Sequence, residues 1–295
     1  MRFFGYPCMN NTLSLTTSHT LRLNKFSIDR WIEKCHHNLD HLYKLIYDTY
    51  KNGYGIFRIG SGVIPFATHP ILYGIDWKHK FGYLFSQIAN LIHQSNIRIT
   101  MHPDQFVVIN SNKLDVYMKS VQELQYHADM MDLLELDSTC KMQIHGGGVY
   151  NQKQNSINLW IDRYLQLPTQ IKNRLVLEND DFSYSLTDVM YIHSKTKIPI
   201  LFDTLHHECL NPTSINHHDA FKLAYHTWKS SDGIPLVDYS SQQPNSRKGK
   251  HASTIDLHHF DNIQKILDTV NPYYDVILEI KDKEVSAHKL SICLP

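Results

Sequence analysis

Short apolar runs that stop abruptly at an ionisable side chain recur six times along this chain, and that repetition constrains the fold more than any other feature. The run Leu175-Val176-Leu177 ends in Glu178, within Arg174-Leu175-Val176-Leu177-Glu178-Asn179-Asp180-Asp181. Ile97-Arg98-Ile99-Thr100-Met101 ends in His102, Met142-Gln143-Ile144 in His145, and Pro199-Ile200-Leu201-Phe202 in Asp203. Pro235-Leu236-Val237 ends in Asp238, and Asp275-Val276-Ile277-Leu278 in Glu279. Runs this short, with no amphipathic alternation, read as strands buried on both faces. A single case is an ordinary strand leaving the core. Six place charge at the C-terminal ends of a family of strands.

Between these runs the spacing of apolar residues is helical. Ser27 reads as the N-cap of a helix that Gly53 stops, with Trp31, Cys35, Leu39, Leu42, Leu45 and Ile46 on one stripe. Further helices are expected at about 78–94, 114–135, 153–167, 185–194, 217–225 and 255–269. Phe3 to Cys8 and Gly55 to Gly60 supply two more strands, and residues 64–70 form a long loop. No linker rich in Gly, Ser or Pro interrupts the series. Eight alternating units imply a parallel sheet, closed most simply into a (β/α)8 TIM barrel of the α/β class. A single domain over 1–295 is expected, with the barrel at roughly 3–284 and a short C-terminal tail.

Composition narrows the setting. The formal net charge is zero, so contact with nucleic acid has to come from a local patch. Five cysteines, odd in number and without a CxxC pair, argue for a reducing compartment and against a thiolate zinc site. No apolar stretch is long enough for a membrane span. The expectation is a soluble, cytoplasmic protein, nucleoid-associated if bacterial.

Barrel active sites lie at the strand C-termini. There the expected rim gathers His102, His145, Glu178, Asp203, His206, Asp238, His251 and Glu279. Four buried carboxylates without counter-charge repel and are costly to desolvate, and divalent cations relieve both. Mixed nitrogen and oxygen ligands without Cys fit Zn²⁺ or Mn²⁺ and do not choose between them; two to three divalent ions per chain are expected, Mn²⁺ foremost, with Zn²⁺ or Mg²⁺ as alternatives. His207 reads as a supporting residue beside His206. Lys248 and Lys250 in the basic run 246–250, with Arg58, Lys281 and Lys283, are candidates for a phosphate-binding patch. Gln105 and Phe106 form a pair able to wedge into a base stack, or simply to pack under their loop.

Five segments, in order along nearly the whole chain, resemble the UV damage endonucleases, relatives of endonuclease IV. They are Gly5-Tyr6-Pro7-Cys8-Met9-Asn10, Phe57-Arg58-Ile59-Gly60, Met101-His102-Pro103-Asp104-Gln105, Leu177-Glu178-Asn179-Asp180 and Phe202-Asp203-Thr204-Leu205-His206-His207. The resemblance implies a three-metal barrel that nicks DNA 5′ to a damaged nucleotide. It implies metal binding by His102, His145, Glu178, Asp203, His206, His251 and Glu279, with Glu178 bridging two ions. Glu178, His69, His102 and Asp203 stand as candidate catalytic residues. Tyr6, Asn10, Arg58, Gln105, Phe106, Lys248 and Lys250 stand as candidate contacts to lesion-bearing duplex DNA. Leu236 occupies the place of a lysine in some relatives, Asp238 that of a histidine, and Phe106 that of a tyrosine. A monomer with no obligate protein partner is expected.

Two other readings share the same residues. A sugar isomerase or epimerase also uses His, Asp and Glu at a barrel mouth, but has no use for an exposed Gln105–Phe106 wedge or a basic loop. A metal-stabilised binding protein would carry eight costly polar ligands for no chemistry.

Overall fold

The computed structural model describes residues 1–150 and 152–293. Eight parallel strands close on themselves in the order β1 (Phe3–Pro7), β4 (Ile56–Ile59), β5 (Arg98–Met101), β6 (Met142–His145), β7 (Leu175–Glu178), β8 (Ile200–Asp203), β9 (Leu236–Tyr239) and β10 (Asp275–Leu278). The seam is a parallel pairing of β1 with β10, Phe4 opposite Val276. A small hairpin, β2 (Met9–Asn10) with β3 (Leu15–Thr16), stands on the first connection. Gly5 lets β1 approach β4, since a Cβ there would collide with the carbonyl of Ile56.

Along each strand alternate residues face opposite ways. Phe57, Ile99, Met142, Leu177, Phe202 and Leu278 join the layer between barrel and helices. Ile56, Val176, Leu201, Leu236 and Ile277 fill the barrel itself. Both faces are apolar through the lower barrel, which is why the runs show no alternation in sequence. Polarity enters at the upper inward positions, such as Arg58 on β4, Gln143 and His145 on β6 and Glu178 on β7, and at the floor. There Asp275, fully buried, receives Arg2 Nε at 2.8 Å, Arg2 Nη2 at 2.7 Å and Arg98 Nη1 at 2.8 Å.

The helices are α1 (Ile28–Lys51), α2 (Trp77–Ser95), α3 (Leu114–Leu133), α4 (Lys153–Leu165), α5 (Thr169–Lys172), α6 (Leu186–Thr196), α7 (Thr204–Cys209), α8 (His217–Tyr225), α9 (Leu257–Val270) and α10 (Glu284–Cys293). Ser27 caps α1 by accepting from Arg30 N, as expected. Two short helices, α5 and α7, escaped the apolar-spacing argument because neither is long enough to show a period. Residues 284–293, expected as a tail, instead form α10. Its apolar residues fall on both faces, so no stripe marks it, yet Ala287 and Leu290 are buried. Glu284 ties it to the hairpin by accepting from Asn11 N at 2.9 Å and Thr12 N at 2.8 Å.

Replacing Asp275 with Asn should therefore cost about 3–5 kcal/mol, because it leaves two guanidinium groups without their shared partner. Urea unfolding measures this loss, and metal uptake at the opposite end of the barrel should not change.

Candidate metal centre

Glu178 ends β7 at 1% exposure, and its two oxygens look in different directions. Oε2 lies 3.6 Å from His102 Nε2 and 3.7 Å from His145 Nε2. Oε1 lies 3.2 Å from His206 Nδ1. Three groups of ligand atoms, each within 4.8 Å of one another, follow around the rim: His102–His145–Glu178, Glu178–Asp203–His206 and Asp203–Asp238–Glu279. Glu178 and Asp203 each belong to two groups. The rim is thus a chain of three adjoining donor sets linked by shared carboxylates.

Local structure fixes these side chains. Asp203 is both the last residue of β8 and the N-cap of α7, its Oδ1 accepting from His206 N at 2.7 Å. The first turn of α7 thereby folds His206 back over the strand end. Asn179 pins the same corner, accepting from Asp203 N and donating to Asp203 O, both at 3.0 Å. His102 lies one residue past β5, with Nδ1 held by Pro103 O at 2.8 Å, so Nε2 is left to face Glu178. His251 Nδ1 likewise meets Glu279 O at 2.6 Å. His251 reaches the rim beside His206, with ring centroids 5.9 Å apart, but stands outside the three sets.

The residues present fit a cation. Asp203 Oδ2 is buried without a hydrogen-bond partner, and so is His145 Nδ1. An orphaned carboxylate oxygen at full burial is a lone pair without a donor. The electrostatics agree. Burial pushes Asp203 up to about 6, although His206 opposes it. Burial would lower His206, yet Asp203 and Glu178 outweigh it and hold the imidazole up at about 11. Burial also works against ionised Glu178, but His145, His206 and His102 hold its carboxyl far below the usual range. His102 is pushed down to about 4 by burial, which keeps its imidazole neutral and able to donate a lone pair at neutral pH.

The expected absence of a counter-charge needs correction. Arg58 is buried inside the barrel, forked onto Asp238 with Nη1 at 2.9 Å and Nη2 at 2.6 Å, and it also meets Glu279. It is not a surface phosphate contact, because a side chain 1% exposed has no face to offer DNA. Asp238 is committed in turn. Besides Arg58 it receives Gln143 Nε2 at 2.6 Å, and the same nitrogen donates to Glu178 Oε2 at 2.7 Å.

With this geometry in hand, comparison with known proteins is informative. The sequence model of the family described as UV-endonuclease UvdE matches residues 2–294. A UV DNA damage endonuclease of Clostridium perfringens is 36% identical over 97% of this chain and 69% of its own length. The crystal structure of SacUVDE superposes with a TM-score of 0.92 at 37% identity, covering 100% of this chain and 98% of that one. The chain belongs to the UV-endonuclease UvdE family. As a member it is a DNA-repair endonuclease. A D-psicose 3-epimerase from Clostridium cellulolyticum H10 superposes at a TM-score of 0.55 with 12% identity, over 80% of this chain and 78% of that one. That likeness is one of barrel fold alone.

The remaining expected sites of this UvdE-family member fall into two groups. Gln105 and Phe106 stand exposed, Phe106 at 64%. Gln105 lines a cleft of about 410 Å³ at the barrel mouth with Arg58, His102, His251, Lys281 and Lys283. Phe106 lines a neighbouring cleft with His69, Tyr73 and Lys119. Lys248 is exposed and Lys250 half-buried on the loop before His251. Tyr6 and Asn10, by contrast, do not reach the surface. Tyr6 packs against Tyr54 and Phe57 under α1, and Asn10 Nδ2 donates to Asp48 Oδ2 at 2.9 Å. His69 lies away from the donor sets, its Nδ1 accepting from Ile71 N at 3.1 Å to cap a short turn. His207 is buried against Ile215 O at 2.8 Å and turns away from the rim.

Gln143 and Asn179 were not singled out from sequence. For Gln143 the signal existed: it lies two residues before His145, hence on the same inward face of β6. Exchanging Gln143 for Leu should keep the fold and weaken binding of divalent ions about 10–100-fold, the usual cost of losing a group that orients ligands. Metal titration followed by bound-metal analysis checks this.

Proposed function

We propose that this endonuclease hydrolyses a backbone phosphodiester 5′ to UV-induced and related lesions in duplex DNA, with two to three divalent ions at the rim. The observation that carries the reading is Glu178, whose two oxygens address separate donor sets. His102 and His145 would hold one ion with Glu178, and Asp203 with His206 a second. Glu279, with His251 beside it, would complete a third position. Asp238 serves in this scheme mainly to anchor Arg58 and Gln143. Bound there, such ions supply Lewis-acid stabilisation of a phosphate and a deprotonated water.

The chain's own residues divide the remaining work. Glu178 and Asp203 hold negative charge at the place where cations must sit. Burial works against ionised Glu279, but Arg58 holds its carboxyl down at about 2, and at Asp238 the same guanidinium opposes the burial that raises that carboxyl well above its ordinary value. Lys281 and Lys283, at the mouth, favour approach of the DNA backbone. Neutral imidazoles beside carboxylates favour Mn²⁺ over Mg²⁺, which prefers oxygen and water. Every residue in this account comes from one barrel, so a monomer suffices. DNA as substrate places the enzyme inside the cell.

Glu178→Gln should abolish nicking of UV-irradiated plasmid while the protein stays folded and binds DNA, since the amide keeps the shape and loses the charge. Nicking within about tenfold of the parent, an effect under roughly 1.4 kcal/mol, would remove Glu178 from the bridging role. Chelation should silence the parent, and elemental analysis should find two to three divalent ions per chain.

Gln105 and Phe106 are assigned to reading damage. Wedging between bases costs a few kcal/mol in intact duplex and less where a lesion already weakens stacking. Phe106 can restore about 1–3 kcal/mol of stacking, and Gln105 can bond an orphaned base. The double change to Ala should lower the ratio of affinities for lesion-bearing over intact duplex, measured in paired titrations at one salt concentration. Binding to intact duplex rests on phosphate contacts and should hardly change.

A further inference from the structure

Outside the barrel mouth, three imidazoles from two elements meet on the flank of α1. His37 and His41 are four residues apart on one face of the helix, and His19 comes from the connection that follows the β2–β3 hairpin. One ring nitrogen from each lies within 4.8 Å of the other two. Ring centroids are 4.0 Å apart for His19 and His37, 4.4 Å for His37 and His41, and 5.0 Å for His19 and His41. We propose that His19, His37 and His41 form a second metal site, for a single Zn²⁺ or similar nitrogen-preferring divalent ion, that fastens the first βα connection to α1.

The supporting contacts are those of a metal-binding histidine. His19 Nδ1 lies 2.9 Å from Asn38 Oδ1, and His19 N donates to the same oxygen at 2.8 Å. Asn38 is fully buried, and its Nδ2 donates to the carbonyls of His19 at 2.9 Å and of Gly62 and Val63 at 3.1 Å. An amide so committed must present its oxygen to His19, so His19 Nδ1 carries the proton and Nε2 carries the lone pair. His41 Nδ1 lies 3.1 Å from Thr16 O and 3.2 Å from Thr16 N, and the tautomer that donates to the carbonyl frees its Nε2 for an ion. A ligating histidine typically gives its other N–H to a carbonyl or amide oxygen in this way, which orients the ring before the ion arrives.

His37 is the exposed member, stacked on His19 and edge-on to His41. Closing the set asks for modest movement. Zn–N bonds of about 2.0–2.1 Å put tetrahedral nitrogens roughly 3.4 Å apart, against the 4.8 Å limit within which these atoms now lie. Three neutral nitrogens without a carboxylate prefer Zn²⁺, Ni²⁺ or Cu²⁺ to Mn²⁺ or Mg²⁺, so this site and the carboxylate-rich rim select different ions. The connection it would fasten carries Thr17, buried against Gly60 just beyond the end of β4.

The test uses the full chain and zinc alone as probe. Parent, His37→Ala and His41→Gln are stripped with chelator, equilibrated with Zn²⁺, desalted and assayed for bound zinc. The parent should retain one zinc more than either variant, and zinc should raise its melting temperature further than that of His37→Ala. His37 is exposed and its ring contacts among the described residues are confined to the other two imidazoles, so this variant should fold. Equal zinc in parent and His37→Ala overturns the proposal, as does a deficit confined to His41→Gln, which would report only a disturbed Thr16 contact.

Discussion

Four carboxylates converge where the barrel interior opens, and one guanidinium answers them. Arg58 spans Asp238 and Glu279 from the inside, and burial, which alone would disfavour its charge, is overridden by these two partners. The remaining pair, Glu178 and Asp203, have ligand atoms within 4.8 Å. At an effective dielectric near 20, two full charges at that separation repel by roughly 3–4 kcal/mol. Folding has to carry this cost, because Asp203 is fully buried and Glu178 nearly so. A proton on the carboxyl of Asp203 or the imidazole of His206 relieves the repulsion, and both groups are held in more basic states than usual. A divalent ion would provide the same compensation with more charge and would supply chemistry that a proton cannot. Crowded carboxylates of this kind are costly to the fold and useful to a nuclease for the same reason.

That logic explains which parts of the site were legible in sequence. Barrel geometry sends the last inward residue of each strand to one rim, so His102, His145, Glu178, Asp203 and Glu279 could be gathered from strand ends alone. Arg58 and Gln143 sit at the same inward level, but an arginine inside a short apolar run reads as a surface residue until its partner is known. Its partner Asp238 is 180 residues away, and Gln143 meets Asp238 across 95. No local rule connects such pairs. Position in a motif misled in the other direction for Tyr6 and Asn10, which turn toward Asp48 of α1 rather than toward solvent. The three histidines of α1 and the preceding connection were lost among twenty, because only the fold brings His19 back to the helix.

The two ends of the barrel show how the same chemistry serves stability or function according to completeness. At the floor Asp275 is shared by two arginines, and Arg98 also donates to the carbonyls of Ile234 and Thr139. That network is saturated, and it closes the bottom of the barrel. At the rim the network stops short: Asp203 Oδ2, His145 Nδ1 and Gln143 Oε1 are buried without partners. Native interiors rarely leave such groups unpaired, and a catalytic role, a water or an ion is among the reasons they do. The contrast separates a structural ion cluster from a site in waiting without reference to any relative.

The candidate metal ligand His102 and the proposed damage-reading pair Gln105 and Phe106 share a stretch of five residues. His102, Pro103, Asp104, Gln105 and Phe106 follow β5 directly. The turn is tightened by Val107 N donating to Asp104 O at 2.9 Å and is anchored by buried Val107 and Ile109. Beneath it, His127 Nε2 meets Ser61 Oγ at 3.0 Å, and Ser61 Oγ donates to His102 O at 3.1 Å. The first residue of the turn faces Glu178 and the last is an exposed ring. Three residues separate the exposed ring from a candidate metal ligand. A barrel that handled a small sugar would gain nothing from holding a large apolar ring in water beside its ligands. Burying that ring on a partner returns about 1.5–3 kcal/mol, and the partner has to be wide, flat and close to the metal-binding rim. Under the proposed reading, a base pair loosened by damage would meet all three conditions, whereas a stacked base pair in intact duplex does not present its face.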